Sequence, residues 1–251
     1  MIKINNLIVS YEKEPILKDI NLCFKKGELV SIVGPNGSGK TTLLKSIIGL
    51  INNIKGEVII DNENLNLYKR KDIAKKIAYL SQEKASPDMT VKQLVLHGRF
   101  PYLNTFGNYS EKDKEICNKA LEKMGILSLA DKFINTLSGG MKQTCYIAMV
   151  LAQDTDYILL DEPTTHLDIS HQLKFMKDLR KLADEGKGIV VIIHDIEVAL
   201  NFSDKVIVLN NGIISKEGTP SEIYKSKVIK DVFNVELKED EVNNNHYYYK
   251  Y

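Results

Sequence analysis

Gly34-Pro35-Asn36-Gly37-Ser38-Gly39-Lys40-Thr41 is the stretch that decides the fold. It fits the pattern of a glycine, four residues, Gly-Lys, then Ser or Thr. An apolar run over residues 29–33 precedes it, and a helical pattern over residues 41–48 follows. A strand, a glycine loop and a helix in that order make a phosphate cradle. The glycines let the backbone close on phosphate oxygens where a Cβ would collide. Loop N–H groups and the positive end of the helix supply the attraction. Lys40 is placed to reach the β- and γ-phosphates, and Thr41 offers a hydroxyl to Mg²⁺. The nucleotide-binding candidates are therefore Gly34, Pro35, Asn36, Gly37, Ser38, Gly39, Lys40, Thr41 and Thr42.

A second site-forming segment lies far downstream. Residues 157–160 form an apolar run that delivers Asp161 and Glu162 at its C-terminal end. In open α/β sheets that end of a strand faces the ligand. Asp161 suits a magnesium-holding carboxylate. Glu162 suits a base or orienter for attacking water.

Around these segments the pattern is that of an α/β chain. Residues 16–24, 28–33, 56–60, 77–81, 157–160 and 188–193 read as strands. The Val/Ile/Leu runs at 157–160 and 188–193 suit strands buried on both faces of a parallel sheet. Residues 205–209 and 213–214 flank Asn210-Asn211-Gly212 and read as a hairpin. Residues 90–97, 111–124 and 139–152 have helical spacing, and no convincing strand lies between about 87 and 153. That is a helical insert in an α/β core. The tail from 238 to 251 is charged, then Asn- and Tyr-rich, and reads as a short edge strand or a frayed end.

Composition excludes several classes. Among 251 residues, 34 Lys and Arg stand against 33 Asp and Glu, a net charge of +1. That balance argues against a nucleic-acid binder driven by bulk electrostatics. Cys23, Cys117 and Cys145 are far apart and no CxxC occurs, which argues against a disulfide scaffold or a Cys-rich zinc site. The longest apolar candidate, residues 41–51, contains Lys45 and is shorter than the roughly 18–20 residues a bilayer span needs. The expectation is a chain in a reducing, cytosolic compartment that does not span a membrane by itself.

Between the two site segments lies Leu137-Ser138-Gly139-Gly140, and after Asp161-Glu162 the chain continues Pro163-Thr164-Thr165-His166-Leu167-Asp168. This set resembles the ATP-binding cassette (ABC) ATPases, and the resemblance covers roughly residues 1–236. It implies an α/β fold: a P-loop NTPase (RecA-like) core with an N-terminal antiparallel β-subdomain and an inserted α-helical subdomain. It implies one ABC ATPase domain over 1–251, with 1–86 and 154–240 as the nucleotide-binding core. Residues 87–153 would be the helical signature subdomain and 241–251 the C-terminal tail. ATP and Mg²⁺ are the implied cofactors.

The resemblance also assigns roles. Gln82 resembles the Q-loop glutamine that contacts Mg²⁺ and the attacking water. His194 resembles the switch histidine at the γ-phosphate. Asp168 falls in the D-loop, which crosses the dimer interface. Tyr11, 23 residues before Gly34, resembles the aromatic that stacks on adenine. The implied catalytic set is Glu162, His194, Gln82 and Lys40, with Thr41, Gln82 and Asp161 for the metal. Ser138, Gly139 and Gly140 open a helix and form a second anion site. Each subunit thus carries two half-sites, and two head-to-tail copies close around two ATP molecules. One departure stands out: Met141 replaces a usually polar residue, and Thr144 sits where Arg is common.

His97-Gly98-Arg99-Phe100-Pro101-Tyr102, residues 161–172 and Val232-Phe233-Asn234-Val235 together resemble the ATPases of importers for iron–siderophore complexes, haem and cobalamin. ATPases of importers for free metal ions such as Mn²⁺ or Zn²⁺ share most of these motifs, and some ABC ATPases serve no transporter. The implied partners are a second copy, integral membrane permease subunits and, indirectly, an extracellular or periplasmic substrate-binding protein, with no nucleic acid. The implied location is peripheral, on the cytoplasmic face of the cell membrane.

Overall fold

The computed structural model describes residues 1–10, 14–51, 54–82, 87–103, 107–165, 167–240 and 246–249. The first part of the chain forms β1 (Ile2–Ser10), β2 (Pro15–Phe24), β3 (Leu29–Val33), α1 (Lys40–Ile47), β4 (Ile54–Ile60) and β5 (Glu63–Asn64). Next come α2 (Arg70–Lys76), β6 (Ile77–Leu80), α3 (Val91–His97), α4 (Glu111–Lys123), α5 (Gly139–Ala152) and β7 (Tyr157–Asp161). The last part holds α6 (Ile169–Asp184), β8 (Gly188–Ile192), α7 (Ile196–Phe202), β9 (Lys205–Asn210), β10 (Ile213–Gly218), α8 (Pro220–Ser226), α9 (Val228–Phe233), β11 (Leu237–Glu239) and β12 (Tyr247–Tyr249).

Two sheets carry the fold. An antiparallel sheet has the order β2-β1-β4-β5, and a six-stranded sheet has the order β10-β9-β3-β8-β7-β6. In the latter, β9, β3, β8, β7 and β6 are parallel and β10 is an antiparallel edge. The architecture is the α/β P-loop core with an antiparallel β-subdomain and a helical insert.

The apolar runs are explained by burial on both faces. Successive residues of a strand point to opposite sides. Ile158, Leu160, Ile189 and Val191 enter one core, which they share with the insert and with α6 to α9. Tyr157, Leu159, Val190 and Ile192 enter the other core, shared with α1 and the antiparallel sheet. Neither face is left for polar side chains, so no alternation is visible in the sequence. The tail forms a strand: β12 pairs antiparallel with β11, Leu237 opposite Tyr249 and Glu239 opposite Tyr247.

The insert is pinned by the residues around Gly98. A Cβ at Gly98 would stand 2.2 Å from Met149 O, so α3 and α5 approach as closely as they do only with glycine there. Arg99 is 5% exposed and donates from Nε to Asp113 Oδ1 at 2.8 Å and from Nη1 to Ala152 O at 2.9 Å. Its guanidinium lies 3.8 Å from the Tyr102 ring centre. The Gly-Arg-Phe-Pro-Tyr segment thus ties α3, α4 and the end of α5 together. The same end is anchored to the core by Gln153, whose Nε2 donates to Ala74 O at 2.6 Å and Ile77 O at 3.3 Å.

Burial pushes the Asp113 carboxyl up, but hydrogen bonds from Ser110 and Arg99 outweigh it and hold its pKa below the ordinary value. A carboxylate lowered in this way stabilises the fold at neutral pH, and that contribution is lost as pH falls through its folded pKa. Asp113→Ala strands a buried guanidinium. It should cost about 3–5 kcal/mol of unfolding free energy, measured by urea denaturation at neutral pH, with the difference from wild type shrinking in acid.

Candidate functional site

Parallel register builds the site. Leu160 of β7 stands beside Leu80 of β6 and Val191 of β8, and Ile32 of β3 stands beside Ile192 of β8. The C-terminal ends of four strands therefore reach one edge of the sheet. Gly34, Gln82, Asp161-Glu162 and His194 emerge there.

The phosphate loop fits its place tightly. A Cβ at Gly34 would lie 2.1 Å from Leu209 O on β9, so the backbone passes where no side chain could. Gly37 and Gly39 have φ of 77° and 101°. Gly39 is the residue before α1, and a Cβ on it would meet Leu17 Cδ2 at 2.7 Å. Lys40 is 6% exposed, and its Nζ donates to Gly34 O at 2.8 Å and Pro35 O at 2.9 Å. Burial lowers the pKa of this ammonium, while the negative charges of Glu162 and Asp161 act the other way. Ser38 Oγ is buried with no hydrogen-bond partner among the described residues.

The Asp161 carboxylate bridges the loop and the sheet. Thr41 Oγ1 donates to its Oδ1 at 3.1 Å and Tyr79 Oη to its Oδ2 at 3.1 Å. Burial raises its pKa above the ordinary carboxylate value, against the effect of those two hydrogen bonds. The next residue, Glu162, has φ of 47°, in the left-handed region where a non-glycine residue is strained by roughly 1–3 kcal/mol. That turn swings its side chain off the line of β7. Glu162 Oε2 accepts from Gln82 Nε2 at 2.6 Å, and Oε1 lies 2.8 Å from His194 Nε2. Three candidates from three strand ends thus meet in one contact set.

These groups border one cavity of about 480 Å³, lined by Ile16, Asn36, Gly37, Gly39, Lys40, Thr41, Thr42, Gln82, Glu162 and His194. Ile16 and Tyr79 were not singled out from the sequence. Ile16 gives the cavity an apolar wall from the antiparallel sheet, and Tyr79 orients Asp161 from inside the strand next to β7. Tyr11 lies outside the described residues, as does His166.

Ser138, Gly139, Gly140 and Asp168 are elsewhere. Ser138 caps α5 by accepting from Met141 N at 3.4 Å. Asp168 caps α6: its Oδ1 accepts from His171 N at 2.9 Å and Ser170 Oγ at 2.8 Å, and its Oδ2 lies 2.8 Å from His171 Nδ1. These bonds, the His171 backbone first, hold the Asp168 carboxyl at a pKa of about 2. Gly140 faces Leu167 and His171 across a separate cavity of about 50 Å³. Gly140 and Leu167, just before α6, thus share one cavity, and none of Ser138, Gly139, Gly140 and Asp168 lines the phosphate-loop cavity.

Residues 17–165, more than half of the chain, match the ABC transporter family model. The chain belongs to the ABC transporter family. It is an ATP-binding cassette subunit, an ATPase. The petrobactin import ATP-binding protein YclP of Bacillus subtilis is 39% identical over 246 residues, covering 97% of each chain. The iron(3+)-hydroxamate import ATP-binding protein FhuC of the same organism is 38% identical over 92% of this chain and 86% of its own. A bacterial ABC transporter cassette solved as a dimer matches with a TM-score of 0.76 and 34% identity, over 88% of this cassette and 99% of that chain.

The close pass of Gly34 against β9 yields a steric test. Gly34→Ala should lose nucleotide binding, read by titration of a fluorescent ATP analogue. Overpacking of about 1–3 kcal/mol should also lower the melting temperature by several degrees.

Proposed function

We propose that this cassette hydrolyses Mg-ATP as half of a head-to-tail dimer and powers import of an iron(III)–siderophore chelate. The observation that carries the catalytic part is the Glu162 carboxylate, held between Gln82 at 2.6 Å and His194 at 2.8 Å on the rim of the phosphate-loop cavity. A base held from two sides beside a phosphate cradle is suited to aligning water for in-line attack.

In this reading ATP lies on Gly34 to Thr42, with Tyr11 against adenine. Lys40 leaves the Gly34 and Pro35 carbonyls for the β- and γ-phosphates, and the buried Ser38 hydroxyl turns to a phosphate oxygen. Water adds to the γ-phosphorus, the bond to the bridging oxygen of ADP breaks, and Glu162 takes the water proton. His194 and Gln82 hold the carboxylate and the water. Mg²⁺ fits the Thr41 hydroxyl and the Asp161 carboxylate, hard oxygen donors with Gln82 near, and when bound it neutralises charge on the β- and γ-oxygens. Among the described residues no cluster of three acidic, His or Cys side chains could hold a metal. Mg²⁺ shared with substrate phosphates needs no such cage.

The dimer completes the site. The signature residues Ser138, Gly139 and Gly140 line no part of their own chain's cavity, so they serve the partner's γ-phosphate, with Asp168 at the seam. Residues 87–153 act as the helical signature subdomain, 1–86 and 154–240 as the core, and 241–251 as the tail. A groove of about 480 Å³ runs between α2 and the residues after α3, lined by Arg70, Lys71, Ala74, Phe100, Pro101, Leu103 and Gly107. Phe100 is 69% exposed at its wall. This groove takes a helix of the membrane permease. No helix among the described residues is long and apolar enough to cross a membrane, and the cassette works from the cytoplasmic face against that permease. The chelate reading rests on the cargoes named for the relatives, petrobactin and iron(3+)-hydroxamate.

Glu162→Gln should keep ATP affinity, lose most turnover and accumulate as an ATP-bound dimer on size exclusion; full hydrolysis by this variant would refute the assigned role. Phe100→Ser should weaken co-purification with the permease. Uptake of iron-loaded petrobactin by the reconstituted transporter, compared with free Mn²⁺ or Zn²⁺, tests the cargo.

A further inference from the structure

Residues 247–249 pack onto the helix that follows His194. One side chain of α7 takes both backbone groups of Tyr247: Asn201 Nδ2 donates to Tyr247 O at 2.9 Å, and Tyr247 N donates to Asn201 Oδ1 at 2.9 Å. Two residues later Tyr249 N donates to the Glu197 carboxylate. Ile196 N donates to the Tyr249 hydroxyl at 3.2 Å. The Tyr247 ring is 2% exposed and lies 5.1 Å from the ring of Tyr224 on α8. Pairing with β11 fixes the other edge of the segment. Residues 247–249 thus form a strap that grips α7 at its first turn and again near its end.

α7 begins two residues after His194. The first N–H groups of a helix have no partner within it. Here Asp195 Oδ1 accepts from Val198 N at 3.1 Å, and the strap's hydroxyl answers Ile196 N. The His194 side chain is 50% exposed. With so little packing on the ring, its aim at Glu162 depends on the backbone turn it hangs from. That turn is fixed on one side by β8 and on the other by the first turn of α7, which the strap holds.

We propose that the C-terminal strap, through Tyr249, is a positioning element for His194 in ATP hydrolysis. The proposal rests on the reading of His194 as the partner of Glu162. Tyr249 touches no reacting atom. It acts through Ile196 N and the turn at 194–195, and so bears on the rate of the chemical step more than on nucleotide affinity.

The test is steady-state ATP turnover by the full-length chain. Tyr249→Phe removes the hydroxyl and keeps the ring and the strand pairing. It should lower kcat about three- to tenfold, the effect of one ordinary hydrogen bond, and leave KM for ATP within about twofold. The Ile196 amide should exchange hydrogen faster. In a His194→Ala background, read by release of radiolabelled phosphate, Tyr249→Phe should lower the rate no further. An equal loss in both backgrounds, or an unchanged kcat with a faster-exchanging Ile196, overturns the proposal. The His194→Ala chain measured alongside separates the two readings: full turnover by His194→Ala refutes the role of His194, whereas an impaired His194→Ala with an unaffected Tyr249→Phe refutes the strap alone.

Discussion

Side-by-side pairing of β3, β8, β7 and β6 is the constraint on which the site depends. Each strand is buried on both faces, and a slip of one residue would exchange its two sets of side chains between different cores. Register is therefore fixed by packing far from any ligand. The reward is at the strand ends: Gly34, Gln82, Glu162 and His194 come from positions up to 160 residues apart in sequence, yet arrive at one edge. One strained residue lies there as well. Glu162 turns at positive φ because the carboxylate must leave the line of β7 to meet two partners at once.

Much of this was legible in the sequence because the elements that matter have short-range signatures. The glycine loop announces itself by residue type, and continuous Val/Ile/Leu runs announce strands buried on both sides. Strand β1 carries no such signature: Asn5-Asn6 interrupts its alternation, and register shifts between Ile4 and Val9 accommodate them. Helices α7, α8 and α9 are short, and tertiary packing rather than local propensity makes them helical. Tyr79 shows the limit at the site. Its value lies in a hydroxyl 3.1 Å from Asp161, a contact between neighbouring strands 82 residues apart that no local pattern reveals.

The Gly98–Tyr102 segment shows how one stretch carries two meanings. From the sequence it marked a branch of the family. In the fold its glycine permits close helix packing and its arginine is a buried tie. Phe100, the residue after the arginine, points outward. A single turn thus sets the internal geometry of the insert and shapes a wall of the exposed groove, so changes to the groove are constrained by the packing beneath it.

The two ends of the insert are fastened unequally. It leaves the sheet after β6, where the Gln82 side chain bonds to the Glu162 carboxylate, and it returns before β7, where Gln153 bonds to two carbonyls of the core and Arg99 ties the end of α5. Because β6 and β7 are parallel, these ends lie at opposite edges of the sheet, about four strand residues or roughly 13 Å apart. Between those ends the insert shares one apolar core with the sheet, so whatever alters the Glu162 contact acts on a body already packed against the strands.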